Sequence, residues 1–213
     1  MDITTIQAQI GSLPDERQRE ILALLDELSG ARVREEANGD FLSFVKEVWP
    51  AFIEGSHHRV MADAFNRIAS GELKRLIINM PPRHTKSEFA SHLFPAWYLG
   101  KFPDRKVIQT AHTAELAVGF GRKVRNLVGS SEYATIFPGV ALSADSKAAG
   151  RWNTSSDGDY FAIGVGGAVT GKGADILIVD DPHSEQEAAL NDPNVYNKTY
   201  EWYTSGPRQR LQP

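Results

Sequence analysis

Apolar residues along this chain recur first at helical spacing and only later in short unbroken runs. Ile21, Leu24, Leu25 and Leu28 repeat every three or four positions between Pro14 and Gly30. That predicts a helix inside a separable N-terminal segment, 1–38, stopped at Gly30 and followed by a charged stretch that reads as a linker or an exposed helix end. Asp40 is a suitable N-cap for a second helix with Phe41, Phe44, Val45, Val48 and Phe52 on one face. A third, from about 58 to 70, carries Met61, Ala64, Phe65 and Ile68. The pattern then changes. "RLIINM" at 75–80 is a continuous apolar run of the kind found in a strand buried on both faces. Phe89, Leu93 and Trp97 predict a helix over 87–98 with Gly100 as its stop, and "KVIQTA" predicts the next strand. Leu116, Phe120, Val124 and Leu127 mark a further helix ended by Gly129. Asp157-Gly158 between two extended runs signals a hairpin. "DILIVDD" predicts a third buried strand, and Asp192-Pro193 caps a last helix bearing Val195, Thr199 and Trp202.

Helices alternating with apolar strands predict an α/β protein with a mostly parallel central sheet, with a mixed α+β domain as the alternative. Composition narrows this only a little. Hydrophobic residues at 41% and charged residues at 23% are ordinary for a globular chain, and 213 residues suffice for a full core. No apolar run approaches the roughly 20 residues a membrane span needs, so no membrane partner is expected. With no cysteine there is no disulfide and no thiolate metal site, which fits a reducing cytosol. The net charge of −4 excludes a basic coat, so nucleic-acid contact must rest on local patches such as Arg122, Lys123 and Arg125. The ending "RLQP", just after a basic stretch, reads as a cut through a longer protein.

In parallel sheets, ligands gather where strands hand over to helices. Two such ends carry polar signals: "MPPRHTKS" after the first strand and "VDDPHS" after the third. The strict phosphate-loop pattern, G-x-x-x-x-G-K-[ST], has backbone N–H groups around the phosphates, a Lys on the outer ones and a hydroxyl on Mg²⁺. Lys86 and Ser87 fit it, whereas Met80 and Thr85 stand at the glycine positions and must allow a backbone path usually left to glycine. The loop still feeds a helix N-terminus, where free N–H groups favour an anion. Arg83, His84 and Lys86 crowd that helix start with groups an anion would satisfy. Taken alone, the loop reads equally well as a surface turn with solvated charges. Asp180 and Asp181 end an apolar strand, a form suited to an Mg²⁺-side acid and a water-orienting acid, although Asp-Asp-Pro is also turn chemistry. Both halves arising by accident, in the right order, is the less economical reading.

"LIINMPPRHTKSE" with "GADILIVDDPHS" resembles the ATPase domain of the large terminase subunit, the DNA-packaging motor of tailed bacteriophages. The likeness spans about 41–213. It implies a P-loop NTPase fold of the ASCE type, a three-layer sandwich preceded by N-terminal helices, with ATP and Mg²⁺ as cofactors. It implies that Lys86 binds the β- and γ-phosphates, Ser87 and Asp180 hold Mg²⁺, and Arg83 senses the γ-phosphate. Pro82, Arg83, His84 and Thr85 complete the loop, and Asp181 stands where the family's catalytic glutamate is common. "SHHRVMADAF" resembles the segment before that loop, which implies an adenine-side role for His58, although His57 and His58 precede a helix and read equally well as a packed or capping pair. A basic finger from a neighbouring subunit in a ring would be Lys172, with Arg122, Arg125 and Arg151 as alternatives. The implied partners are double-stranded DNA, a portal protein and a small terminase subunit, in the host-cell cytoplasm. No clustered acids of a nuclease are present, so no DNA cleavage is expected. A helicase-like ATPase and a non-catalytic nucleotide-dependent assembly module are the alternatives.

Overall fold

The computed structural model describes residues 13–171, 173–190 and 192–212. Helix α1 (Asp15–Gly39) runs straight through Gly30 and ends at Gly39, so the expected stop is corrected, and of the two readings of the charged stretch after it the helix end holds and the linker does not. A mid-helix glycine costs only about 1 kcal/mol. Against that, the helix end is docked: Trp97 Nε1 donates to the Ala37 carbonyl at 3.1 Å, and Arg32 pairs with Glu36 one turn on. The earlier turns pack on little, for Leu22, Leu24, Leu25 and Leu28 are all exposed.

Asp40 then caps α2 (Phe41–Val48), accepting from the Ser43 N–H at 2.8 Å. It also takes the Asn66 side chain of α3 (Ser56–Ala69) at 2.7 Å, and Asn66 Oδ1 accepts from the Phe41 N–H. Three polar residues thus lock the α2–α3 corner before any apolar packing is counted. Phe41, at 0% exposure, sits edge-on to Phe65, Phe89 and Trp97, with centroids 5.1–5.6 Å apart. Such aromatic geometry adds to the area they bury. Phe89 belongs to a π-helical turn, Glu88–Leu93, that opens into α4 (Phe94–Lys101). Gly100 lies inside the last turn of α4 rather than ending it, because its missing Cβ lets Phe137 in.

The sheet has five strands: β1 (Lys106–Ala111), β2 (Leu142–Ala148), β3 (Arg151–Thr154), β4 (Asp159–Gly164) and β5 (Ile176–Asp180), in the order β2-β3-β4-β1-β5. β1 runs parallel to β4 and to β5, while β3 pairs antiparallel with both β2 and β4. This overturns the expected mostly parallel P-loop sandwich of three layers. The sheet is mixed, and two physical features make it so. The β3–β4 hairpin, turned at Asp157 with φ of 67°, stacks Trp152 on Tyr160 at 5.0 Å and puts two antiparallel pairings into the sheet. The run at 75–80 also takes no place in it. Only alternate residues there turn inward, leaving Leu76, Ile78 and Met80 partly buried and Ile77 84% exposed, so it is a one-sided extended segment.

The main core lies on one face of the sheet, where Val107, Ala111 and Tyr160 meet Phe89, Trp97 and Val124. Val124 comes from α5 (Ala114–Val128), capped by Thr113 and followed by α6 (Ser131–Ile136). The other face carries a small cluster of Ile108, Ile163, Val169 and Ala174. After β5 come the short α7 (Glu185–Leu190), α8 (Pro193–Ser205) and a 3₁₀ turn, Pro207–Arg210. No helix among the described residues is long and apolar enough to cross a membrane.

Candidate phosphate-binding site

The end of β5 and the start of the π-helical turn meet, although 95 positions separate Lys86 from Asp181. Lys86 Nζ lies 2.5 Å from Asp181 Oδ1 and 3.6 Å from Asp180 Oδ1. Burial alone would lower the lysine pKa; the hydrogen bond and charge of Asp181, joined by Asp180, outweigh it and leave the pKa raised. The ammonium therefore stays charged. The two acids differ in kind. Asp180 is 7% exposed, whereas the Asp181 side chain is 62% exposed. Asp181 also adopts a left-handed φ of 40°, its carbonyl accepting from the His112 N–H.

Asp180 is supported from behind. Ser91 Oγ donates to Asp180 Oδ2 at 2.8 Å, and Gln109 Nε2 donates to Ser91 Oγ at 3.2 Å. Ser91 and Gln109 are both 0% exposed. Neither was singled out from sequence. The available signal was a polar residue, Gln109, amid the apolar run of β1 and another, Ser91, on the inward side of the helical segment before it. A π turn, with its wider spacing, is frequent at functional sites, and here it carries Ser91 to the carboxylate. Ser87, the expected magnesium ligand, lies one turn earlier and adopts helical backbone angles at the start of that element.

The loop answers the missing glycines. Arg83 and Thr85 adopt left-handed φ values of 65° and 61°, while Met80 is not among the positive-φ residues. For residues with a Cβ this costs roughly 1–2 kcal/mol each, so something must hold them. Thr85 Oγ1 donates to the His84 carbonyl at 2.6 Å and meets His58 Nε2 at 2.7 Å. The carbonyl of Thr85 accepts from the Phe89 N–H, so the loop joins directly to the helical turn. His84 Nδ1 lies 2.9 Å from the Pro82 carbonyl, and Pro82, Arg83 and His84 are all exposed.

Lys86, Asp180 and Asp181 also line a cleft of about 870 Å³ between residues 74–79 and β5, with Tyr196 and Tyr203 of α8 on its wall. That volume falls in the range of small-ligand sites. Of the finger candidates, Arg122 and Arg151 are exposed, Arg125 donates to Asn126 Oδ1 at 3.1 Å, and Lys172 lies outside the described residues. Among the described residues no group of three or more His, Cys, Asp or Glu side chains converges as a metal cage. Magnesium beside polyphosphate needs no such cage, since one or two carboxylates plus phosphate oxygens suffice. A buried carboxylate, an exposed one and a charged lysine at a helix start fit that use. Compared with models of known protein families and with curated proteins, the chain matches none.

Proposed function

We propose that the chain binds Mg-ATP with its polyphosphate at the Lys86 helix start and hydrolyses the terminal phosphate. The observation that carries this reading is the convergence of Lys86 with Asp180 and Asp181 at 3.6 and 2.5 Å, beside a loop with two left-handed residues. An ammonium held by two acids has a ready exchange: phosphate oxygens take over Lys86, and the acids are released for other work. Asp180, buried and held by Ser91, would hold Mg²⁺ together with Ser87. The ion supplies positive charge to the phosphate oxygens when bound. Asp181, exposed at the cleft mouth, would orient the attacking water and accept its proton. Arg83, at the loop tip, would offset charge on the γ-phosphate. The product is ADP and inorganic phosphate.

The task this hydrolysis serves is proposed on the likeness of the two motifs to terminase large subunits: translocation of double-stranded DNA by a ring at a portal. Local geometry supports the hydrolysis site independently of sheet topology. Lys86→Ala should weaken Mg-ATP binding about 10- to 100-fold, the worth of a charge-assisted contact, and abolish phosphate release. Unchanged binding and turnover would remove the site. Stimulation of turnover by double-stranded DNA supports the packaging role. Stimulation by single strands alone favours a helicase-like ATPase, and binding without turnover favours an assembly module.

A further inference from the structure

The geometry points to His58 as a positioning residue that clamps Thr85 in the left-handed conformation on which the phosphate loop depends. The inference rests on the phosphate-binding reading of that loop. His58 is 5% exposed, in the first turn of α3. Its Nδ1 accepts the Gly55 backbone N–H at 2.8 Å, which requires Nδ1 to be unprotonated. The ring must then carry its proton on Nε2, 2.7 Å from Thr85 Oγ1. Thr85 Oγ1 accepts that proton's bond and spends its own on the His84 carbonyl. The relay Gly55 → His58 → Thr85 → His84 runs in one direction, with each hydrogen assigned. Phe89 stacks on the ring at 4.8 Å and Phe52 closes its edge at 4.7 Å, so the imidazole cannot swing away.

Both ring nitrogens are thereby taken up by protein, which assigns His58 a task other than holding adenine. A loop with glycine at 85 would need no clamp, because glycine enters the left-handed region without a Cβ penalty. With Thr85 at φ 61° the conformation must be imposed, and the histidine supplies what the glycine would have made intrinsic.

Protonation would break the relay at its first bond, because a charged ring has no acceptor for Gly55. Burial pushes the His58 pKa down, His57 lowers it further, and Glu54 opposes them in part. The titratable groups around it are His57, with His84 beyond at 5.9 Å from the His57 ring, and Glu54, itself paired with Lys46 and Arg59. A depressed histidine pKa gives a contribution that is complete above the ordinary value of 6.5 and lost as pH falls below it toward the folded-state value.

A double-mutant cycle on Mg-ATP binding tests the clamp. His58→Ala should lower affinity about tenfold, and adding Thr85→Gly to it should restore affinity to within about twofold of Thr85→Gly alone. Wild-type affinity should fall on acidification only at a pH lower than the ordinary histidine value of 6.5, where folded His58 takes up its proton, and it should fall less in the double variant. If the two substitutions add, or glycine fails to restore binding while thermal melts show His58→Ala folded, His58 is only a core residue. Long-range ¹⁵N–¹H spectra of the free protein give a readout that needs no nucleotide. They should show the Nε2–H tautomer of His58, with its Nε2 resonance displaced by Thr85→Val. An Nδ1–H tautomer, or no displacement, overturns the clamp whether or not ATP is hydrolysed. The expected spectra in a protein that binds no Mg-ATP would instead retain the clamp and reject the phosphate reading.

Discussion

Trp152 and Tyr160 lie ring on ring at 0% exposure in the middle of the sheet, while Ile77, across the cleft from β5, is 84% exposed. The first region is closed on every side: β1 and β4 stay in register from Lys106 to Ala111, and helices cover that face. The second is open: β5 has one partner strand, Val179 is 40% exposed, and an extended segment stands off across the cleft. The chemistry sits on the border. Asp180 is anchored to the closed side through Ser91 and Gln109, and Asp181 reaches the open one. Buried partners fix one acid, and the other faces an accessible cleft.

The contrast can be broken most severely in the closed region. Phe41→Ala removes a ring enclosed by four other aromatics and should cost about 3–5 kcal/mol, read as a lowered urea midpoint. A result under about 1 kcal/mol would mean the aromatic cluster is loosely packed. At the border, Ser91→Ala leaves a buried carboxylate and a buried amide each short of a partner. A cost of about 1–3 kcal/mol is expected, with the denaturant slope unchanged. On the open side, Ile77→Thr should change stability by no more than about 0.5 kcal/mol. A larger loss would show that Ile77 is covered in solution and would erase the distinction between the regions.

Helix positions were readable because capping residues and apolar faces are local. Asp40 and Asp192, both read as caps, each cap a helix in the structure. The strands "KVIQTA" and "ILIVD" and the Asp157-Gly158 hairpin were readable for the same reason. What escaped was set by partners distant in the chain. A continuous apolar run cannot say whether one face or two will be covered, and 75–80 has one. Strand β2 reads as polar and was passed over, because it is defined by pairing with β3 rather than by its own residues. These two errors together produced the expectation of a mostly parallel sandwich. In the site, Lys86, Asp180 and Asp181 were legible as motif residues. Ser91 and Gln109 were not, since a buried serine or glutamine acquires meaning only from the group it faces. For His58 the sequence left open an adenine-side role and a packed or capping one; the fold caps Gly55 with it, stacks it on Phe89 and adds a contact to Thr85 that only the tertiary structure reveals.

The π turn at Glu88–Leu93 has a consequence for how this segment tolerates change. It holds one residue more than an α-turn, so the faces before and after it are out of phase, and Phe89 within it and Trp97 beyond it are both buried with that offset in place. Deleting a single residue here would make the helix more regular and the protein worse. Every side chain upstream would rotate by about a quarter turn, carrying Ser91 off Asp180 or Lys86 off Asp181. The irregularity is therefore a matter of length rather than of residue type, and alterations to this segment are safe as exchanges but not as insertions or deletions.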